Sequence, residues 1–483
     1  MTMLNIIKNF FKKYWVIVTV ILLFVIIRMV TLQHHAVIEW DAAVYIGMGK
    51  YLFSHGTVGA WEVLRPLGLP FILGLAWKIG LNPYTFGTIF SILVSAGMLA
   101  LVYFFAEEVR KGSGTIAALL LASSTIFFRY SSVPITDITS AFFALLSLFL
   151  VYKATTNKQY FLSGLFAAIA FMFRFPQGLL LIVGAVSIIA KIFQQSGKKK
   201  WNDRIAATIE QLFIFGGGFM AIVIPFLVVN YYIYGNAFVP FIEATINIGQ
   251  YPSLYNKGVL FYFIELLKQD PFFILALVPM ALCWKKKYRH AGVIALTAAV
   301  VVVGGYFFYQ QHKELRFVLA FLPYIAILSG VGVVYILEYF KLPQLLFFGI
   351  FFIAAFMVYA PALLHSNASA DDPILYAFNT YLVTAPKARI LSSTPYTFAY
   401  TDVLLIHNLY IDWNDAYAKY NLFRQDNDYI ALDSCSLELG CADYHDCKAD
   451  KQALLTELAA KDREVFSQTT PSQCVLSIYK INH

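Results

Sequence analysis

Eleven apolar stretches, near residues 14–33, 85–106, 114–129, 138–153, 160–174, 177–193, 211–233, 271–284, 291–309, 317–338 and 343–363, decide what this chain can fold into. A helix that crosses a bilayer needs about 20 predominantly apolar residues. Charged residues make up only 13% of the chain, and mean hydropathy is +0.67. Soluble domains carry about 25% charged residues. The fold class expected is therefore an α-helical polytopic membrane protein with about eleven transmembrane helices. No internal repeat is visible, which weighs against the repeat-built transporter folds.

Charge divides the chain in two. Residues 1–364 hold 27 Lys/Arg against 13 Asp/Glu, a net of +14, and residues 365–483 hold 9 against 15, a net of −6. We expect a transmembrane domain over 1–364 and a water-facing domain over 365–483. The basic excess belongs to loops on the cytoplasmic side of a membrane and is no sign of nucleic-acid binding. Lys8, Lys12 and Lys13 precede the first apolar run, and no small-residue cleavage site follows it, as in an uncleaved signal anchor.

Topology turns on "RPLGLPFILGLAWKIGL", residues 65–81. As a helix it is about 24 Å long, short of a hydrocarbon core of about 30 Å. If it lies in the interface, 17 basic residues collect on the N-terminal side, among them "SGKKK" and "WKKKYR", and nine remain opposite. If it crosses, those clusters face outward, against the positive-inside rule. The first choice places the N-terminus in the cytoplasm and the tail outside, with interfacial helices in the first outer loop. It also gathers "HHAVIEWDAAVY", "RYSSVPITDITS", "FRFPQG" and "QQHKELRF" onto one outer face.

In the tail, "ARILSS", "DVLLIH", "DYIALDS" and "CVLSIYKI" read as strands and "DKQALLTELAAK" as an amphipathic helix, which together make a small α/β domain. Four of its residues are cysteines: Cys435, Cys441, Cys447 and Cys474. Outside the cell they suit two disulfides, with three connectivities open. Their spacing lacks the short Cys pairs of structural zinc sites.

The outer face carries two acids at helix starts, Asp41 and Asp137. Each is read either as an N-cap or as a carboxylate that takes a proton or holds a metal. Glu39 reads as a surface acid. Among the cations, Arg65, Arg174, Lys313 and Arg316 either snorkel to lipid headgroups or bind an anion. "HKELR" sets His312, Lys313, Glu314 and Arg316 within five positions, and ionisable groups at membrane depth default to function. The pattern asks for a substrate with a phosphate and a lipid tail.

These motifs resemble those of the multispan glycosyltransferases of GT-C type that use lipid-phosphate sugars. Members include the protein O-mannosyltransferases and the bacterial transferase that adds aminoarabinose to lipid A. Asp41 in "WDAAVYIGMGKYL" matches their first-loop acid, "RPLGLPFILGLAWKIG" their basic-Pro motif, Asp137 their second outer acid, and "HKELRFVLAFLPYIAIL" their late basic motif. Many members have Asp-Glu where this chain has Asp41-Ala42. The resemblance implies sugar transfer from a polyprenyl- or dolichyl-phosphate donor to a hydroxyl of a protein, lipid or glycan, with inversion. It makes Asp41 and Asp137 catalytic, and Arg65, Lys313 and Arg316 phosphate-binding. Arg174 joins the phosphate-binding set from topology, with Glu39, His312 and Glu314 in support. The resemblance fixes no cofactor, and a divalent metal at the acids stays open. A flippase for lipid-linked sugars would need the same cations but no base, and a scaffold built around the tail would need neither.

Overall fold

The computed structural model describes residues 3–32, 38–195, 200–250, 255–285, 290–344, 347–349, 374, 377–378, 380–384, 388–409, 416–435 and 447–483. The protein is an integral membrane protein of helices, followed by a small C-terminal sheet region. Seven helices among the described residues are long and apolar enough to cross a bilayer: Lys13–Thr31, Pro83–Val109, Thr136–Lys153, Phe175–Gln194, Trp201–Tyr234, Ala291–Tyr309 and Leu322–Tyr339. Of the other four expected spans, one is a shorter helix, two are broken, and one lies mostly outside the described residues. The 160–174 stretch lies in helix Asn157–Phe173, of 17 residues. The 114–129 stretch is broken into Gly114–Ala122 and Thr125–Tyr130. The 271–284 stretch is a 3-10 turn followed by the short helix Leu277–Leu282. Most of 343–363 lies outside the described residues, as does the expected domain boundary at 364/365.

Helix Leu322–Tyr339 is the packing axis. Leu322, Tyr324, Ala326, Ile327, Leu328 and Val331 are fully buried among side chains of the helices around 83–122 and 291–307. Helix Trp201–Tyr234 instead exposes Phe213, Ile224, Val228 and Tyr232, the surface that lipid covers. One break in the bundle is held by a buried acid. Asp270 accepts hydrogen bonds from Ser124 Oγ at 2.7 Å and Thr125 N at 3.0 Å, so it caps the free N–H groups where the 114–130 segment restarts.

Between the first two spans lie helices Trp40–Phe53 and Gly68–Lys78. The second has 11 residues, about 16 Å, too short to cross. The two cross where Gly49 meets Gly74, so closely that a Cβ at Gly74 would stand 2.4 Å from the Gly49 carbonyl oxygen.

The tail forms a five-stranded sheet of β1 (Arg389–Ser392), β2 (Leu404–Asn408), β3 (Tyr429–Asp433), β4 (Arg463–Thr469) and β5 (Val475–Lys480), in order β2-β1-β3-β5-β4. β1 pairs parallel with β2 and β3, and β5 pairs antiparallel with β3 and β4. Helix Cys447–Lys461 buries Leu454 and Leu458 in the same core as Ile390, Ile430 and Ile478. Four strands fall where β-branched runs lie. The fifth, β4, "REVFSQT", is polar and mostly exposed, and carried no strand pattern. Cys435 and Cys474 form a disulfide. Cys441 lies outside the described residues, and Cys447 opens the helix Cys447–Lys461.

The sheet does not stand apart from the first loop. Gly59, at φ 91°, donates its N–H to Val403 O at 2.7 Å and accepts from Leu405 N at 2.8 Å, lengthening the β2 edge by one bridge. That φ favours glycine. Buried Lys50 makes a salt bridge to Asp402 Oδ1 at 2.9 Å and donates to Thr401 O at 2.9 Å. Trp77 Nε1 donates to the same Asp402 oxygen at 3.2 Å.

The Gly49/Gly74 crossing yields a direct test. Gly74→Ala should destabilise the protein by about 1–3 kcal/mol, as overpacking does. Gly216→Ala, a site in a helix interior with nothing within 4 Å, should be neutral or stabilising. Thermal unfolding in detergent compares the two, and equal midpoints would contradict the close crossing.

Candidate active site

Asp41 stands in the first turn of helix Trp40–Phe53, and Glu39 holds the N-cap position without a side-chain cap hydrogen bond. Asp137 likewise sits in the first turn of Thr136–Lys153, whose N-cap position is Ile135. Neither acid occupies the cap position. Both face guanidinium groups instead.

Asp41 is shared by two arginines. Its Oδ1 lies 2.9 Å from Arg65 Nη2 and its Oδ2 lies 2.5 Å from Arg316 Nη1. Each arginine is held from behind by a neighbouring acid. Arg65 Nε donates to Glu62 Oε2 at 3.0 Å. Arg316 Nη2 donates to Glu314 Oε1 at 3.0 Å, with Nε 2.8 Å from Oε2. Glu314 also meets His312 Nε2 at 2.8 Å, and the His312 ring stacks on Tyr255 with centroids 3.9 Å apart. Glu62, Arg65, Asp41, Arg316 and Glu314 thus form one chain of ion pairs, three acids and two cations, with net charge −1.

The second acid is close by. Asp137 pairs with Arg174, which leaves helix Asn157–Phe173 at its C-cap. The Arg174 guanidinium lies 4.4 Å from the ring centroid of Phe317, the residue after Arg316. Tyr45, one helical turn beyond Asp41, lies 3.4 Å from Thr136 Oγ1 and under the Arg65 guanidinium at 5.6 Å. Lys313 is buried, with its Nζ on the Gln310 carbonyl and its N–H donated to Tyr255 O at 3.0 Å.

Electrostatics follow the geometry. Burial opposes ionisation of Asp41, but the charges and hydrogen bonds of Arg316 and Arg65 outweigh it, and the carboxyl is held well below the usual carboxylate range. Burial also works against Glu314, yet Arg316 and the hydrogen bond from His312 bring it down to about 2. Asp41 and Asp137 are both engaged by guanidinium groups, with Ala42 beside Asp41. Among the described residues, the one group close enough to share an ion is Asp433, Cys435 and Cys474, and its two sulfurs are joined in the disulfide.

The structure brings together Asp41, Arg65, Arg316, Glu314 and His312, and sets the Asp137–Arg174 pair beside them. Glu39 is exposed and outside this network. Glu62 was not singled out from sequence, although its spacing of three from Arg65 in "EVLR" is the signal that marks it.

The folded chain can be set against known proteins. It superposes on the oligosaccharyltransferase AglB of Archaeoglobus fulgidus, solved with an inhibitory peptide and a dolichol-phosphate. That match has a TM-score of 0.57 and 12% identity over 98% of this chain and 75% of that one. ArnT of Cupriavidus metallidurans, bound to undecaprenyl phosphate, matches with a TM-score of 0.51 and 12% identity over 93% and 77%. This is the fold of the GT-C glycosyltransferases. A family model described as dolichyl-phosphate-mannose-protein mannosyltransferase matches residues 64–232, a stretch that holds Arg65, Asp137 and Arg174. No curated protein matches the chain by sequence.

The Glu314–Arg316 pair sets a pH dependence. Free glutamate titrates near about 4.3. Glu314 binds its proton more weakly in the folded protein, so unfolding takes up a proton between about pH 4 and pH 2. Its contribution is present above about pH 4 and is lost as pH falls through the folded value. Glu314→Gln should lower the unfolding midpoint at neutral pH, and the gap to wild type should close as pH falls from about 5 to about 2. A gap independent of pH would reject the ion pair as its cause.

Proposed function

We propose that this GT-C chain transfers a sugar from a polyprenyl- or dolichyl-phosphate donor to an acceptor hydroxyl, with inversion at the anomeric carbon, on the extracytoplasmic face. The observation that carries this reading is a carboxylate flanked by two guanidinium groups, Asp41 between Arg65 and Arg316, in the loop after the first span. The fold and the family match over 64–232 support it. The dolichol-phosphate and undecaprenyl phosphate on the two superposed proteins make a lipid phosphate the natural donor class.

In this reading the acceptor oxygen bonds to the anomeric carbon as the bond from that carbon to the phosphate oxygen breaks. The electron pair of the broken bond leaves with the lipid phosphate. Fixed cations meet the growing charge, with Arg65, Arg316, Lys313 and Arg174 as the candidates. Asp41 accepts the proton of the acceptor hydroxyl, and Asp137 orients the acceptor. The N-terminus faces the cytoplasm, residues 1–364 form the transmembrane catalytic domain, and residues 365–483 form an extracytoplasmic domain that covers the first loop. Positive-inside counting supports that orientation.

Purified wild type and Asp41→Asn, given a panel of polyprenyl-phosphate sugars and acceptors, test the assignment. Release of lipid phosphate should be slower by about 10²-fold or more in the variant, the loss expected for a general base. Equal rates would move the base away from Asp41. Donor binding without turnover in wild type would favour translocation of the lipid-linked sugar over its transfer.

A further inference from the structure

We infer that the donor phosphate binds by exchange, taking the terminal nitrogens of Arg65 and Arg316 from Asp41, so that the lipid phosphate itself releases the acid. The inference rests on the glycosyltransferase reading and adds to it a competition between substrate and acid for the same two cations.

The geometry divides each guanidinium into two jobs. The Nε edge is anchored: Arg65 on Glu62 at 3.0 Å, and Arg316 on Glu314 at 2.8 and 3.0 Å. The far ends, Arg65 Nη2 and Arg316 Nη1, converge on the two oxygens of Asp41 at 2.9 and 2.5 Å. Carboxylates and phosphates are both held by guanidinium forks in this way, so the place Asp41 fills suits two phosphate oxygens equally well. Glu62 and Glu314 are positioning residues here. They keep the arginine heads in place while the far ends change partner. Glu62 is 3% exposed and its Oε1 has no hydrogen-bond partner, a costly state for a buried oxygen and a second acceptor within reach of a shifted Arg65.

Charge favours exchange. The five-residue chain already carries net −1, Arg174 is committed to Asp137, and the Lys313 ammonium is turned onto the Gln310 carbonyl. An added phosphate that left those pairs intact would meet uncompensated negative charge in a half-buried site, where repulsion is weakly screened. Exchange removes that repulsion and changes Asp41. While both guanidinium groups hold it, the carboxylate is too weak a base to draw a proton from a hydroxyl. Once the phosphate takes them, the carboxylate is freed and its affinity for a proton rises. The base is thus switched on only when the donor is present.

Binding of undecaprenyl phosphate alone to the full-length protein reads this out without any turnover. Asp41→Asn removes the competitor and should bind the lipid phosphate about tenfold tighter or more, a free-energy change of about 1.4 kcal/mol. Glu314→Gln removes an anchor from Arg316 and should bind it severalfold more weakly. Opposite signs from two acids on one arginine are the signature of exchange. If both acids only neutralise Arg316, both variants tighten binding, and the inference fails. Unchanged or weaker binding by Asp41→Asn overturns it while leaving the transferase reading standing. Absence of binding by wild type and both variants overturns that reading, and the exchange with it. Should Asp41→Asn not fold, Asp41→Ser carries the same expectation.

Discussion

Asp41 lends one oxygen to each of two arginines, and segments far apart in the chain meet because it does. Arg65 comes from the turn between the two short helices of the first loop, and Arg316 from the stretch before the most buried helix of the bundle. A charge taken partly out of water is tolerable only when paired and hydrogen-bonded. Each pairing therefore constrains where its helix can sit. The Gly49/Gly74 crossing fixes the angle of the helix that carries Asp41. The Asp137–Arg174 pair fixes the next helix against its neighbour. The site is as much a set of ion-pair ties between helices as a place for chemistry.

Much of this was legible in the sequence, for physical reasons. Apolar stretches of membrane length give the bundle. β-Branched runs give four of the five strands. Positive-inside counting puts Asp41, Arg65, Asp137, Arg174 and "HKELR" on one face before any contact is known. What it cannot give is pairing. The acids looked like helix caps because each opens a helix, and only the folded chain shows guanidinium groups where the free N–H groups were expected to be their partners. Glu62 was hidden because it lies in the loop between the two short helices, where only its spacing of three from Arg65 marks it. β4 was hidden because its partner, β5, supplies the apolar face and lets it stay polar. The break at 123–124 lies in what reads as a continuous apolar run, since Asp270, the acid that makes it tolerable, is far off in sequence.

The first loop has a second support besides the helix bundle. Lys50 and Trp77, on the two short helices, both reach Asp402 in the tail, and Gly59 joins the tail's sheet at its edge. An edge strand left bare invites pairing with other chains. Here the β2 edge is partly covered by the loop it steadies.

That cover has a consequence for how the molecule is made. The Asp41 helix is synthesised long before the strand that braces it. A chain stopped after Arg316 but before Thr401 has its acid and both its arginines but lacks the brace for the helix that presents the acid. Presentation of the acid is thus tied to a segment made much later, by a contact that joins parts of the chain far apart in time of synthesis.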